Sequence, residues 1–368
     1  MMLDKGRISS VQLLFLLLIA DLATSFLYVP AITTKGAGPD AWISLLVPAT
    51  LYALMVALVC VLLARRFPNE VFTQYLPKIV GKIPGKILGF LYIGVFIHIT
   101  SVMVIEGAQF INTNFLIQTP VLVLQLVLAG VAVYGVYLGI EVIARHNEIV
   151  FPIFVFSLAI LIILVVKDIN PSNFLPILEN GWMPVLKGSM TPAAWRGEVF
   201  IVLMLFPYLN QKNEGVKAAV GMVLIAGVIA TAVVATTIGV FGDLFTSRLT
   251  YSGNTLARYI SVAGILERME LVIVIIWVAG VTVKLAIFYH VSSIAAATTL
   301  GIKEYKWAAI PVAGATILAG NIFYGTYIQV VEFLSKVWPY YGYTVELIIP
   351  ALVLLIAILR KKEMPQDG

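Results

Sequence analysis

Apolar runs of about 20 residues recur along this chain, as in residues 121–140 and 148–166. An α-helix of that length crosses the hydrocarbon core of a bilayer. Only 12% of the 368 residues are charged and 61% are hydrophobic, whereas about 25% are charged in an ordinary soluble domain. So few charges cannot cover the surface of a water-soluble protein, which excludes soluble enzymes, nucleic-acid binders and disulfide scaffolds. The pattern predicts an all-α, multi-pass integral membrane protein whose surroundings are the lipid bilayer.

Stretches of low charge divide the chain into ten predicted spans, which we interpret as a single transmembrane domain of residues 1–368. The spans run over residues 11–30, 42–64, 87–111, 121–140, 148–166, 193–210, 217–241, 270–296, 307–327 and 343–359. The net charge of +5 comes from basic residues between these runs, where they act as topology signals and not as a nucleic-acid surface. The lone Cys60 cannot form an internal disulfide.

The distribution of basic residues predicts the orientation of the chain. When the segments between spans are assigned alternately to the two sides, one side holds 15 Lys and Arg residues and the other holds 8. Basic residues concentrate on the cytoplasmic side of membrane proteins. The asymmetry therefore places both termini in the cytoplasm, which requires an even number of spans.

Ten spans divide into two sets of five, and because five is odd the second set starts from the opposite side of the membrane. This is the topology of an inverted repeat, with repeats over about residues 8–166 and 190–360. Asp21 lies nine residues before Pro30 in the first span, and Glu198 lies nine residues before Pro207 in the sixth. The small, hydroxylated patch at residues 23–25 favours a discontinuous first helix, although ordinary close packing of small residues would leave the same pattern.

Ionisable residues inside the spans are the best indicators of a site, because a charge at mid-membrane is costly unless it is paired or hydrated. Asp21, His98 and Lys284 fall near the middle of their spans, whereas Arg196 and Glu346 lie near span ends, from which they are expected to reach water. Lys284 requires an anion. Asp21 is the first choice by depth, and the alternatives are Glu106 on the third span and Glu198 on the sixth.

Such an ion pair has two interpretations. It either fixes helix packing alone, or its amine replaces a coupling cation or relays a proton. The sequence has none of the common hydrolase, metalloprotease, P-loop or dinucleotide-binding motifs. We therefore expect no enzymatic activity, no cofactor and no metal site.

Three blocks of this sequence resemble the spore germination permease family, the GerAB-type B subunits of germinant receptors within the amino acid/polyamine/organocation superfamily. The first joins Leu-Tyr-Val-Pro at 27–30 to Ala-Gly-Pro-Asp-Ala-Trp-Ile-Ser at 37–44. The second joins Gly-Glu at 197–198 to Leu-Phe-Pro-Tyr-Leu-Asn at 205–210, and the third runs from Leu-Glu-Arg at 266–268 to Lys284. The likeness covers about residues 8–360.

The resemblance implies a LeuT-like fold of two inverted five-helix repeats, with a small-molecule site between discontinuous helices 1 and 6 that the third and eighth helices close. Carried onto this chain, the ligand pocket comprises Ala23, Thr24, Ser25, Val102, Glu106, Phe200, Leu203 and Thr282, with Asp21, Glu198 and Lys284 as the charge-pair or ion-coupling residues. A protonated Lys284 would take the place of the cation in sodium-coupled members. Many relatives have Gly where residues 23–25 lie. This chain therefore departs from the family pattern at the position where the first helix is expected to open.

The resemblance also implies a function, which is that of a B subunit in the inner membrane of the spore. It would bind a nutrient amino acid and signal germination together with a multi-span A subunit and a lipoprotein C subunit. The alternative is an amino-acid transporter, proton-coupled or uncoupled, without a receptor role. Fold alone does not separate the two.

Overall fold

The computed structural model describes residues 4–260 and 269–361, and within those ranges the chain is helical, with no β-strand and one isolated β-bridge. The third block of the family resemblance begins at 266–268, which lies outside the described residues. The α-helices are α1 (Ser10–Ala37), α2 (Ala41–Ser44), α3 (Thr50–Arg65), α4 (Phe72–Val80), α5 (Lys82–Asn114), α6 (Val121–Leu138), α7 (Ile140–Val165), α8 (Trp182–Arg196), α9 (Val202–Leu205), α10 (Gly215–Phe241), α11 (Asp243–Thr246), α12 (Ser252–Tyr259), α13 (Met269–Leu300), α14 (Lys306–Phe323), α15 (Tyr327–Lys336), α16 (Trp338–Tyr343) and α17 (Ile349–Leu359).

Eight helical stretches in the described part of the chain are long and apolar enough to cross a membrane. The predicted number is ten, and the difference arises at two places. The first two predicted spans fall in one helical stretch, Ser10–Arg65, although Gly38 at φ +59° ends α1 within it. The sixth predicted span is a series of short helices. The apolar residues that remain exposed, such as Leu51, Ile87 and Phe156, form the surface that faces lipid.

The predicted break in the first helix is wrong, because α1 runs without interruption through residues 23–25 and past Pro30. Two hydroxyl groups of this helix bond to its own carbonyls. Ser25 Oγ donates to the Leu22 carbonyl (3.3 Å), and Thr34 Oγ1 donates to the Pro30 carbonyl (2.7 Å). They satisfy helix carbonyls locally, and the helix continues.

Neighbouring helices nevertheless donate to two carbonyls of α1. Trp277 Nε1 of α13 donates to the Ala23 carbonyl (2.6 Å), and Ser252 Oγ of α12 donates to the Leu27 carbonyl (2.9 Å). The region predicted to be open is therefore helical in its backbone but hydrogen-bonded sideways to the rest of the bundle.

The predicted break in the sixth helix is present. Here α8 gives way to a 3₁₀ turn at Gly197–Ile201, then to α9 and a second 3₁₀ turn at Phe206–Tyr208. Pro207 supplies no backbone N–H to continue a helix. We refer to Gly197–Ile201 as the helix-6 break, after the sixth predicted span in which it lies and not after α6. The π-helical turn at Thr344–Ile348 is a second irregularity, between α16 and α17.

The segment before α1 is tied to the far end of this sixth span. Ile8 N donates to the Tyr208 carbonyl (2.9 Å), and Asn210 N donates to the Ile8 carbonyl (2.9 Å). Arg7 adds a hydrogen bond to the Pro207 carbonyl (3.1 Å). These bonds satisfy backbone groups that would otherwise be left open where the broken helix ends.

Asp4 anchors the same segment to the start of α7. Its Oδ2 accepts hydrogen bonds from Ile140 N (3.1 Å) and from the Tyr305 hydroxyl (3.0 Å). Burial by itself would raise the pKa of Asp4, but the nearby His290 and the donated hydrogen bonds outweigh that effect and lower the pKa below its usual value. Asp4 therefore favours the charged form that these donors require.

Candidate functional site

A buried ion pair joins three of the helices at the centre of the bundle. Lys284 Nζ on α13 lies 2.8 Å from Glu198 Oε2 in the helix-6 break, and the two side chains are 0% and 2% exposed. The same ammonium donates to Thr24 Oγ1 on α1 (2.9 Å) and lies 5.8 Å from the centre of the Phe288 ring. Lys284 thus connects α13, α1 and the break.

This arrangement corrects the predicted pairing of Lys284 with Asp21. The hydroxyl of Thr24 is the group of α1 that contacts the ammonium, and the carboxylate comes from Glu198. Asp21 and Thr24 are three residues apart and so lie close to the same face of α1, but it is Thr24, about one helical turn further along, that contacts the ammonium. Asp21 remains buried nearby, and its Oδ2 has no hydrogen-bond partner in residues 4–260 and 269–361.

Arg196 is the second cation in this region. The predicted reach of Arg196 to water is wrong, because its side chain is 2% exposed. The guanidinium donates to the Val223 carbonyl of α10, while its Nε and one further nitrogen have no partner among the residues described. Arg196 and Lys284 are the two cations whose charges act on Asp21. Two buried cations, Arg196 and Lys284, therefore act on two buried acids, Asp21 and Glu198.

Glu346 is also predicted to reach water and is likewise fully buried. Its Oε2 accepts a hydrogen bond from the Tyr52 hydroxyl of α3 (3.3 Å). Both mispredictions have one cause. The helices begin earlier than the predicted spans, at Trp182 and Trp338, so positions near a predicted span end lie well inside the bundle.

A narrow cavity lies beside the helix-6 break, with room for about one water molecule. Its walls come from α5, from the end of α8 and the break, and from α15 and α16. They are formed by His98, Ile99, Val102, Met103, Glu106, Trp195, Glu198, Phe333, Leu334 and Trp338. The Oε1 atom of Glu106 is buried and has no hydrogen-bond partner within the described ranges. The cavity therefore presents an unsatisfied carboxylate oxygen among aromatic and aliphatic side chains.

Aromatic rings support one wall of this cavity. His98 Nε2 is 2.7 Å from the Tyr324 hydroxyl, and its ring meets the rings of Phe333 (5.1 Å) and Tyr341 (5.4 Å) edge to face. Trp195 stacks on Tyr28 at 6.3 Å. An acid in a cavity lined by aromatic side chains is a setting that favours a bound cation, since ring faces and carboxylates both attract positive charge. No group of three or more His, Cys, Asp or Glu residues in the described parts of the chain is arranged to hold a metal ion.

The predicted pocket residues fall into three groups. Val102, Glu106 and Glu198 line the cavity, and Asp21, Thr24 and Lys284 lie in the charged cluster beside it. The remaining predicted residues lie outside the lining of the cavity. Ala23 accepts from Trp277, Ser25 faces a gap between α1, α7 and α10, Phe200 stacks on Phe96, Leu203 lies in the apolar core, and Thr282 lines a groove between α6, α7 and α13.

Several cavity residues have no counterpart in the sequence prediction, notably Trp195, Phe333 and Trp338. An aromatic residue in an apolar run looks the same whether it faces lipid or a cavity. The one signal available for Trp195 is its position directly before Arg196, Gly197 and Glu198.

Comparison with known proteins adds to this picture. A family described as spore germination protein matches residues 7–324. Spore germination protein KB of Bacillus subtilis (strain 168) is 27% identical over 365 residues, which cover 98% of this chain and 97% of that protein. YndE of the same organism is 26% identical over 294 residues (78% and 80%). Spore germination protein XB of Bacillus anthracis is 24% identical over 253 residues (68% and 70%).

Two solved structures share the fold. MhsT in complex with L-phenylalanine matches with a TM-score of 0.58 at 13% identity, covering 96% of this chain and 99% of MhsT. Mhp1, a nucleobase-cation-symport-1 family transporter, matches with a TM-score of 0.60 at 13% identity, covering 100% of this chain and 84% of Mhp1. Both are LeuT-fold transporters, so the predicted LeuT-like fold is confirmed.

Proposed function

This chain belongs to the spore germination protein family, as the resemblance predicts, and on that premise we propose that it is the nutrient-binding B subunit of a germinant receptor. It binds an amino acid in the cavity beside the helix-6 break, in the inner membrane of the spore. It passes the signal to a multi-span A subunit and a lipoprotein C subunit.

The observation that carries this proposal is the unpartnered carboxyl oxygen of Glu106, a residue that lines the cavity. A buried carboxylate without a partner is costly, and the ammonium group of an amino acid relieves that cost. Lys284 is already occupied by Glu198. We assign the ligand's carboxylate to the side chains of His98 and Trp195, both of which line the same cavity.

Two further points support an amino acid as the ligand. The aliphatic walls at Val102, Met103 and Leu334 suit a small apolar side chain, and MhsT, a protein of this fold, holds L-phenylalanine. Because the cavity has room for about one water molecule, binding requires its side chains to move apart. We infer that this movement at the helix-6 break is the start of the signal.

A thermal-shift screen of the purified protein against the twenty amino acids tests the proposal. An amino acid present at 100 times its Kd should stabilise the fold by about 2.7 kcal/mol. Glu106→Gln should weaken binding roughly 10- to 100-fold, the loss of a charged hydrogen bond, while Glu332→Gln, at a side chain of α15 that is 58% exposed, should leave it unchanged. We expect the shift to persist when sodium is replaced by choline, because Lys284 supplies the positive charge. The absence of a shift with every amino acid would contradict the proposal.

The second candidate function is an amino-acid transporter without a receptor role, and the fold that the chain shares with the transporter Mhp1 favours transport. Radiolabelled amino acid supplied to vesicles separates the two, since a transporter concentrates or exchanges it and a receptor subunit only binds it. A gene placed beside genes for A and C subunits would favour the receptor, and a lone gene in an organism that does not sporulate would favour the transporter.

We propose that both termini are cytoplasmic and that the single domain consists of inverted repeats over about residues 8–166 and 190–360. The excess of basic residues on one side supports this orientation. Lys35→Cys and Glu214→Cys should then react with an impermeant maleimide from opposite sides of the membrane. The native thiol of Cys60 is fully buried and contributes little background. Labelling of both positions from the same side would rule out this topology.

A further inference from the structure

The buried acids of the bundle outnumber its buried bases. Among the residues described, four acidic side chains are 2% exposed or less, and two Lys or Arg side chains are equally buried. The acids are Asp21, Glu106, Glu198 and Glu346, and the bases are Arg196 and Lys284. Lys284 pairs with Glu198 and its charge also acts on Glu106, while Arg196 acts on Asp21. Glu346 is left without a cation.

The surroundings of Glu346 do not supply one. The charged groups that act most strongly on it are Glu198 and Asp21, both acidic. Its Oε2 accepts from the Tyr52 hydroxyl, and its Oε1 has no partner in the part of the chain described here. The titratable groups that face it from the packed helices are Tyr52 and Cys60 of α3, Tyr92 of α5, Tyr341 and Tyr343 of α16, Glu198 of the break and Asp21 of α1. A carboxylate there would be an uncompensated buried charge.

The backbone around Glu346 has an unusual form and touches the helix-6 break. Glu346 lies in the π-helical turn Thr344–Ile348, and such turns are frequent at functional sites. Its carboxyl group packs directly on Gly197, the first residue of the break, so closely that a Cβ at this position would overlap Oε2. The carboxyl group of Glu346 is therefore in contact with the helix-6 break, the part of the site that we propose to move.

We propose that Glu346 is a proton-binding site, which holds a proton while the helix-6 break packs against it and loses that proton when the break moves away. In the packed state Oε1 carries the hydrogen and Oε2 accepts from Tyr52. On release the O–H bond breaks, the proton passes to water that enters beside Gly197, and a carboxylate remains. The proposal depends on the proposed function in one respect, namely that ligand binding is what moves the helix-6 break.

Infrared spectra of the protein in phosphatidylcholine vesicles, without any amino acid, test the proton directly. At neutral pH we expect a carboxylic acid C=O band in the wild type that is missing in Glu346→Gln and retained in Glu332→Gln. Spectra of the wild type and Glu346→Gln that coincide would overturn the proposal. Since no ligand is added, a failure to bind amino acids would refute the proposed function and leave this result intact.

Tyr52→Phe provides a second variant in case Glu346→Gln does not fold. It removes the hydroxyl that donates to Oε2 and keeps the aromatic ring against Tyr343, whose centre lies 4.5 Å away. Loss of that hydrogen bond should move the C=O band of Glu346 to higher frequency. A band that does not move in Tyr52→Phe would also overturn the assignment.

The alkylation rate of the native Cys60 thiol measures whether loss of the Glu346 proton is coupled to movement of the helix-6 break. Cys60 is fully buried, and its Sγ lies 3.7 Å from the Glu346 carbonyl. Once Glu346 is ionised, water enters and N-ethylmaleimide should alkylate Cys60 at least about tenfold faster than in Glu346→Gln at the same alkaline pH, a shift of about 1.4 kcal/mol in the opening equilibrium. Any ionisation of the Cys60 thiol itself occurs in both the wild type and Glu346→Gln, so it does not produce a difference between their rates. Equal rates at every pH would overturn the coupling.

Discussion

Lys284→Met is expected to lower the free energy of unfolding by about 3–5 kcal/mol, because it leaves the Glu198 carboxylate buried without its cation. The change also removes the hydrogen bond to Thr24. Folded proteins are typically stable by only about 5–15 kcal/mol, so a loss of this size should sharply lower the yield of folded protein. Thermal unfolding followed by size-exclusion chromatography in detergent measures the effect.

Second-site changes identify the partner of Lys284. Adding Glu198→Gln to Lys284→Met should restore much of the lost stability, since no buried charge is then orphaned. Adding Asp21→Asn should restore less, because Asp21 forms no ion pair with Lys284 and has Arg196 as a further cation. Lys336→Met is the matched control, as Lys336 is 72% exposed in its pair with Glu332 and such pairs contribute about 0–1 kcal/mol. Rescue by Asp21→Asn and not by Glu198→Gln would reverse the assignment.

Gly197→Ala is the second change for which we expect a large effect. A Cβ at Gly197 would overlap Oε2 of Glu346 and lie 2.9 Å from Tyr52 Cε1. Forcing one extra methyl group into a packed core costs typically about 1–3 kcal/mol. Gly197 is the junction between α8 and the helix-6 break, so we also expect the ligand-induced thermal shift to disappear.

Two comparisons establish that the effect is steric. Gly130→Ala on α6 meets nothing within 4 Å and should stabilise the helix by about 0.5–1 kcal/mol, the usual difference between Ala and Gly. Gly197→Ala combined with Glu346→Ala removes the overlapped carboxyl group and should be more stable than Gly197→Ala alone. A Gly197→Ala protein as stable as the wild type would show that the contact is looser than we describe.

The sequence predicts the class of fold well because the bilayer imposes a single strong constraint on composition and helix length. It also predicts that the sixth helix is discontinuous, and the structure has 3₁₀ turns there at Gly197–Ile201 and, around Pro207, at Phe206–Tyr208. The same reasoning fails in the first helix. There the hydroxyl groups of Ser25 and Thr34 bond back to α1, and hydroxyl groups give the same sequence pattern whether they open a helix or satisfy it.

The site is less predictable for a geometric reason. Hydropathy gives the depth of a residue in the membrane but not the face of the helix on which it lies. Depth alone favours Asp21 as the partner of Lys284, whereas the facing residue is Glu198. The cavity walls at Phe333 and Trp338 come from short helices, α15 and α16, that lie between the ninth and tenth predicted spans. Their contribution depends on how the chain folds back, which no local pattern encodes.

The two sideways hydrogen bonds to α1 limit how the bundle can move. Separating α1 from α12 and α13 would break the bonds at Ala23 and Leu27, each at a cost of about 1–3 kcal/mol when the buried groups find no replacement. These three helices are thus expected to rotate as one rigid body. The movement that we propose at the helix-6 break is then expected to leave α1, α12 and α13 in contact with one another.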